Sequence, residues 1–527
     1  MPRSLHGRVE VTEDALEEAR EELLERVADV EPGFALVKRL EFERRFDFLF
    51  LELQNDPDNL LPVAQETRNA LRDLGEEMAD RGGDAAAGDS TFSAAFTYFG
   101  QFVDHDITLE KSAQPGMKPP VEPDLEPLPL EEIREQTRNV RTGVLELDSV
   151  YNFPALRDPD NNLKMKLGEV SPSGGRPNGK DDFNDLPRRR RMPDDPPRDR
   201  EARIGDPRND ENLIVAQMHL AFLRAHNRIV EETSPPNRFE KAKRRLRRHY
   251  QHIVIHNFLK QIAEPSIVDD IIENGNRIYD PGEGEFFMPL EFSVAVYRFG
   301  HSMVRARYNY NLNFPEATLL PDLFTFTALS GQLGGFDTVP EVWIIQWERF
   351  LRGGEVFNKA RKIDTQLVEP LEHLQTMEGQ DEPGLAAKLA VRNLLRGYQL
   401  RMPTGQAVAG ALQEKLQGVP DIPVLTPQQI KNAAANDRQR QVLNDSGFDA
   451  RTPLWYYILA EAKVHSDGRR LGPVGSTIVA EVLVGLVRRS PDSILAPGST
   501  WTPNLPSEEP GEFTLADLLR YASSAEF

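Results

Sequence analysis

Apolar residues recur at helical spacing along most of the chain, and the strict alternation that marks a half-buried strand is rare. Leu16, Leu23 and Val27 stand among Glu13, Glu17, Glu18, Arg20, Glu21 and Glu22, which predicts an acidic amphipathic helix over residues 11–30. The first dense cluster, with Phe46, Phe48 and Phe50, places the start of the core near residues 42–53. Thr91 to Phe99 is an aromatic run without charge; Asp89, Ser90 and Thr91 have N-cap chemistry. At about 100° per residue, Phe92, Phe96, Phe99 and Val103 make one stripe. Ile214, Met218, Ala221, Ala225 and Ile229 make another, on a long helix entered through the turn at Gly205-Asp-Pro-Arg-Asn-Asp-Glu211. Further helices are predicted at 239–262, at 290–307 behind a first-turn Pro289, and at 385–400, 454–464, 477–488 and 513–520. The pattern describes a mainly α protein: an acidic helical extension over 1–39, then a single large helical domain over 40–527 with few short strands.

Two stretches interrupt the pattern. Residues 112–130 are proline-rich and acidic, a loop by composition. Ser171 to Arg203 is dense in Gly, Pro, Asp and Arg; its Arg188 to Arg191 run is flanked by Asp181, Asp182, Asp185, Asp194 and Asp195, which predicts a solvated loop rather than a nucleic-acid site. The formal charge of −21 argues against nonspecific binding to DNA or anionic membranes. The absence of cysteine excludes disulfides, iron–sulfur clusters, thiolate-ligated haem and cysteine-bound zinc. No stretch of about 18 apolar residues predicts a membrane span, and residues 1–8 carry no apolar signal core. Cytoplasmic residence is the expectation, with export by a leaderless route left open.

Chemistry concentrates in Phe99-Gly-Gln-Phe-Val-Asp-His-Asp106. Asp106 sits about 200° round the helix from Asp104, so the two aspartates serve different partners. Gln101, Asp104 and His105 share the side away from the apolar stripe. Thr142, Glu146 and Asp148 alternate in a short segment that fits either a half-exposed strand or oxygen ligands for calcium. Arg298 and His301 share a helix face, and Gly300 beside the histidine invites close approach by another group. His219, His226, His252 and His256 read as packing residues. A zinc site from His105, Asp104 and a distant residue is one outcome. Haem is another, since it needs one axial histidine and a separate acid–base group.

Four motifs in order carry a resemblance: Gln101-x-x-Asp-His-Asp106; Gly205-Asp-x-Arg-x-x-Glu211 running into His219-x-x-x-x-Arg-x-His-Asn-Arg228; Arg298-x-Gly-His301; and Asn393-x-x-Arg396. From about residue 40 onwards the chain resembles the animal-type haem peroxidases of the peroxidase–cyclooxygenase superfamily, in a bacterial-looking version. The resemblance implies haem b, with His105 as distal acid–base, Arg208 as distal arginine and Gln101 lining the distal pocket. It implies His301 as proximal iron ligand and Asn393 as acceptor from its other ring nitrogen. Arg298 and Arg396 would lie near the haem or its propionates, and Asp104 and Glu211 match carboxylates that form ester links to haem. Asp106, Thr142, the Val144 carbonyl, Glu146 and Asp148 would bind calcium, so the calcium reading of that segment gains over the strand. Glu146 stands where an aspartate is expected, Asp148 where animal members have serine, and Asn212 where some have a methionine that adds a haem link. The 171–203 stretch, just before Arg208, would shape substrate access.

The implied activity is reduction of hydrogen peroxide coupled to oxidation of a small organic donor or halide. A fatty-acid dioxygenase or cyclooxygenase-like enzyme is the nearest rival; those enzymes carry a tyrosine three residues before the proximal histidine, where this chain has Arg298. A non-catalytic haem-binding or adhesion protein and a metal hydrolase using His105 and Asp104 are readings of other classes.

Overall fold

A computed structural model of the chain describes residues 44–82, 86–112, 125–152, 155–174, 184–195, 198–280, 286–314, 316–351, 357–374, 384–417 and 420–523. The acidic helix expected at 11–30, most of the 112–130 loop and part of the 171–203 stretch lie outside them. The described chain is mainly α, as the apolar spacing predicts. Short strands tie distant segments together. Strand β1 (Arg44–Asp47) is followed by β2 (Asp89–Ser93), β3 (Glu110–Ser112), β4 (Thr137–Asn139), β5 (Phe287–Pro289) and β6 (Lys359–Arg361). β3, β4, β1 and β5 form one sheet in that order, antiparallel between β1 and β4 and parallel between β1 and β5. Phe46, Phe48 and Phe50 are buried, so the core begins where the sequence places it.

Eight helices frame the site and contribute much of the core: α1 (Gln65–Glu77), α2 (Ala95–Ile107), α3 (Leu213–Glu232), α4 (Arg238–His252), α5 (Leu389–Gln399), α6 (Leu454–Ser466), α7 (Pro473–Arg489) and α8 (Leu515–Ala522). α3 packs against α2, α4 and α8, and all five apolar positions of its predicted stripe are buried. Phe102 of α2 stacks on Phe222 of α3 at 4.5 Å, and Tyr250 of α4 meets both rings edge-on. Aromatic pairs of this kind contribute about 0.5–1.5 kcal/mol beyond their buried area. Asn212 caps α3 by accepting from the Val215 amide at 3.0 Å.

Three sequence expectations change. The predicted cap at Asp89 to Thr91 is part of β2, which pairs with β6; Asp89 is drawn into ion pairs with Arg305 and Arg361. α2 starts later, where Ser93 Oγ accepts from the Ala95 amide at 2.9 Å. The regular helix expected at 290–307 is instead a wide π-type turn over Glu291–Ala295 followed by a tight 3₁₀ segment over Val296–Met303. Pro289 ends β5 in register with Asp47. Glu291 is fully buried and accepts from the Leu49 and Phe50 amides at 2.8 and 3.0 Å, a sideways anchor that apolar periodicity does not reveal. Third, Arg188 is not solvated: its side chain is 2% exposed and grips Asp185 and Asp210. Of the flanking acids, Asp185 is its partner, and its second partner, Asp210, comes from the turn before α3.

Candidate active site

α2 presents its polar side to the turn that opens α3. Gln101 Nε2 donates to the Glu211 carboxylate, and its Oε1 accepts from Asn212 Nδ2 at 3.0 Å. Burial pushes the Glu211 carboxyl up to about 8, against the pull of Arg208. Asp104 accepts from Thr108 Oγ1 at 2.8 Å, and burial raises it despite Arg208 and Arg298 nearby. Arg208 is buried and tethered: Nε and Nη2 engage Asp206, and Nη2 also donates to the His105 and Thr108 carbonyls. Arg141 grips the same Asp206. His105 is buried, and its Nδ1 lies 2.8 Å from Asn209 Oδ1. Burial, then the charge of Arg208, holds His105 down at about 3, so it is neutral at pH 7.

The second histidine sits on the 3₁₀ segment, which packs against α2 and α6. Tyr297 donates through its hydroxyl to the Gly100 carbonyl at 3.2 Å, and Trp455 of α6 donates to the Arg298 carbonyl at 3.1 Å. His301 is half-buried with Nδ1 2.8 Å from Asn393 Nδ2, and burial followed by the charges of Arg298 and Arg392 holds it down at about 3. The expected hydrogen bond runs from His301 to Asn393; here the amide is turned the other way, because Asn393 Oδ1 accepts from Arg298 Nη1 at 2.8 Å. Arg396 pairs with Glu110 and donates to Gln399 at 2.7 Å. A Cβ added at Gly300 would meet no atom within 4 Å, so space is open beside His301.

The helical angle that separates Asp104 from Asp106 is realised. Asp106 is fully buried on the opposite side of α2 and accepts from the Leu147 and Ser149 amides at 3.1 and 3.0 Å. No strand forms at 142–147; the segment is an irregular turn with Gly143 and Leu147 at positive φ. Asp148 Oδ2 accepts from the Thr142 amide at 3.1 Å. The Val144 carbonyl accepts from the Glu146 amide at 3.0 Å. Glu146 is committed to an ion pair with Arg247 at 3.5 Å. Among the described residues no three His, Asp or Glu side chains are arranged as a metal-holding group. Among the described residues Ser149 Oγ, which is buried, finds no hydrogen-bond partner.

Two parts of this network are missing from the sequence reading. Asn209 and His219 complete a chain from His105, with Asn209 Nδ2 2.9 Å from His219 Nδ1. His219 reads as a packing residue from the sequence, because a lone histidine on an apolar helix gives no signal of a partner ten residues upstream. Asp206, the clamp on Arg208, is visible in the sequence as an acid two residues before it. His226, also assigned to packing, does pack against Phe239 but also pairs with the Tyr151 hydroxyl at 2.8 Å.

Comparison with known proteins places the chain in a family. The model of the animal haem peroxidase family matches residues 130–398, just over half of the chain, and the chain belongs to that family. The match takes in Arg208, Glu211, His301, Asn393 and Arg396; the His105 stretch lies ahead of it. A peroxidase-like protein of Margaritifera margaritifera is 29% identical over 40% of this chain and 31% of its own length. A chorion peroxidase of Aedes aegypti is 25% identical over 26% and 19%. The matches thus span a third or less of either relative. Among solved structures, peroxidase A from Dictyostelium discoideum is similar with a TM-score of 0.58, 16% identity, and 92% and 94% of the two chains covered. A fatty acid alpha-dioxygenase from Arabidopsis thaliana reaches 0.53 with 14% identity, covering 82% and 72%. At such identities the likeness is one of fold.

Proposed function

We propose that the protein is a haem-dependent peroxidase that reduces hydrogen peroxide and oxidises a small organic donor or halide. The observation that carries this reading is the pairing of a buried, neutral His105 beside Arg208 with a second histidine, His301, held on its ring nitrogen by Asn393. The residues fit a haem: open space beside Gly300, two buried carboxyls at Asp104 and Glu211, and two arginines, Arg298 and Arg396, on the His301 side. When bound, haem supplies iron and its redox capacity. His301 would hold the iron through Nε2, which requires the proton on Nδ1. Asn393 would then have to offer Oδ1 to that proton in place of Arg298 Nη1, and the released guanidinium would be available to an acidic group of the haem. With haem bound and supplying the two electrons that cleavage of the O–O bond requires, His105 Nε2 would take a proton from one peroxide oxygen and return it to the other, which leaves as water. Arg208, held by Asp206, stabilises the negative charge that develops as the O–O bond breaks. Asp104 and Glu211 would form the ester links to haem, and Gln101 would line the pocket between His105 and Glu211. Asn212, engaged as helix cap and partner of Gln101, offers no further link.

Asp106, Asp148, Thr142 and the Val144 carbonyl are offered as a calcium site; Ser149 Oγ, buried and unpartnered beside them, adds an oxygen, whereas Glu146 is taken by Arg247. Millimolar calcium should raise the melting temperature and Asp148→Ala should abolish the rise; an equal rise in the variant would remove the site.

The oxygenase alternative lacks a tyrosine at position 298, and Tyr297 spends its hydroxyl on the Gly100 carbonyl. The deciding experiment compares peroxide-dependent oxidation of a phenol or halide with oxygen uptake on an unsaturated fatty acid without peroxide. The peroxidase reading predicts the first and not the second; the reverse result would replace it with the dioxygenase reading.

A further inference from the structure

We infer that Asn209 and His219 are positioning residues that fix the tautomer of His105, presenting its Nε2 as a lone pair to the reacting oxygen. This rests on the peroxidase reading for its consequence but not for its geometry. Three side chains, one from α2, one from the turn before α3 and one from α3 itself, form one unbroken chain. His105 Nδ1 lies 2.8 Å from Asn209 Oδ1, and Asn209 Nδ2 lies 2.9 Å from His219 Nδ1. All three residues are 5% exposed or less.

The donor logic follows from the amide. Asn209 Nδ2 can only donate, so His219 Nδ1 accepts and its proton sits on Nε2. Asn209 Oδ1 can only accept, so the proton it receives is on His105 Nδ1, and Nε2 is bare. Reversing the amide would exchange both rings at once: His105 would carry its proton on Nε2 and lose the lone pair that proton transfer needs. His219 therefore decides the state of His105 from two hydrogen bonds away. The surroundings hold it in place. Phe102 meets the His219 ring edge-on at 6.0 Å, and His219 Nε2 is buried with no hydrogen-bond partner. A polar atom left unsatisfied at the far end of this chain costs free energy in the fold. That cost is accounted for if the imidazole is retained for its other nitrogen. Asn209 itself is set by the turn that places Arg208, since its amide donates to the Asp206 carbonyl at 3.1 Å. One turn thereby positions both groups, Asp206 holding Arg208 and Asn209 holding His105.

The test uses the haem-loaded enzyme and four variants: Asn209→Leu, Asn209→Asp, His219→Phe and His219→Gln. Asn209→Leu keeps the volume but cannot accept from His105; the rate of reaction with peroxide should fall about 10- to 100-fold, the usual scale for a lost orienting partner. Asn209→Asp accepts from both rings and should restore the rate to within about threefold of wild type. His219→Phe preserves packing on Phe102 and should slow the reaction, whereas His219→Gln, whose amide oxygen can accept from Asn209, should rescue it. Haem content and the resting absorption spectrum should not change. Neutron diffraction of the wild type, a readout independent of turnover, should locate a deuteron on His105 Nδ1 and on His219 Nε2. Deuterons on His105 Nε2 and His219 Nδ1 would overturn the inference, as would an unchanged rate in Asn209→Leu. If wild type does not react with peroxide, the peroxidase reading fails, and the neutron map alone still decides the tautomer.

Discussion

His105 and His301 are both neutral at pH 7, and for the same first reason: burial penalises the imidazolium. Their neighbours then separate them. His105 has Arg208 and a hydrogen-bond acceptor on Nδ1; His301 has an amide that must turn before Nε2 can ligate a metal. The consequences at this scale are specific. His301→Ala should lose haem or leave it misligated, seen as loss or displacement of the Soret band; full occupancy with an unaltered spectrum would remove His301 as ligand. His105→Ala should retain haem but react with peroxide about 100-fold or more slowly in stopped-flow mixing. An unchanged rate would dismiss its acid–base role. If Asp104 and Glu211 are esterified, acidic acetone should leave haem with the protein; complete extraction would show that the links are absent. The split between Asp104 and Asp106 was legible from helix geometry alone, because an angle between neighbouring residues on one helix needs no tertiary information. Asn209 was not, since only the fold brings the turn before α3 against His105.

At the scale of elements, helices with a clean apolar stripe were readable and segments held by polar side contacts were not. α3 forms as its stripe predicts. The 290–307 run does not, because Glu291 is pulled toward the Leu49 and Phe50 amides and the backbone widens to let it reach them. Within the 171–203 stretch Arg190 and Arg191 are exposed, as a solvated loop predicts, but Arg188 is not, because composition cannot distinguish an arginine that meets water from one that meets two buried acids. Arg188 joins Asp185 to Asp210, the residue beside Glu211, and so ties this stretch to the active-site turn. Arg188→Met should therefore destabilise the protein by about 3–5 kcal/mol in urea unfolding, since it strands two buried carboxylates. A change below about 1 kcal/mol would mean that the acids find water or another partner.

Across the whole molecule, buried acids set how stability follows pH. Glu291 and Glu461 are both pushed up to about 7 by burial, although each accepts two backbone amide hydrogens. Their folded values lie above the ordinary 4.5, so the stability they contribute is fully present below that value and is lost as pH rises through 7. Relative to Glu291→Gln or Glu461→Gln, wild type should lose up to about 1.4 kcal/mol per pH unit for each group between pH 5 and 7. Buried histidines such as His219, lowered to about 3, act with the opposite sign below pH 6.5, but they cancel in the comparison of wild type with variant. Parallel pH profiles would show that these carboxyls are ionised in the folded protein.

The haem-peroxidase account depends on the molecule holding haem through His301 and answering peroxide through His105. The most direct measurement is the absorption spectrum of haem-loaded protein before and after one equivalent of hydrogen peroxide, taken in parallel for wild type and His105→Leu. The account predicts a Soret band in both, a rapid change on peroxide in wild type that a phenol or halide reverses, and a change slowed at least about 100-fold in the variant. A protein that takes up no haem, or whose band is indifferent to peroxide, would contradict it.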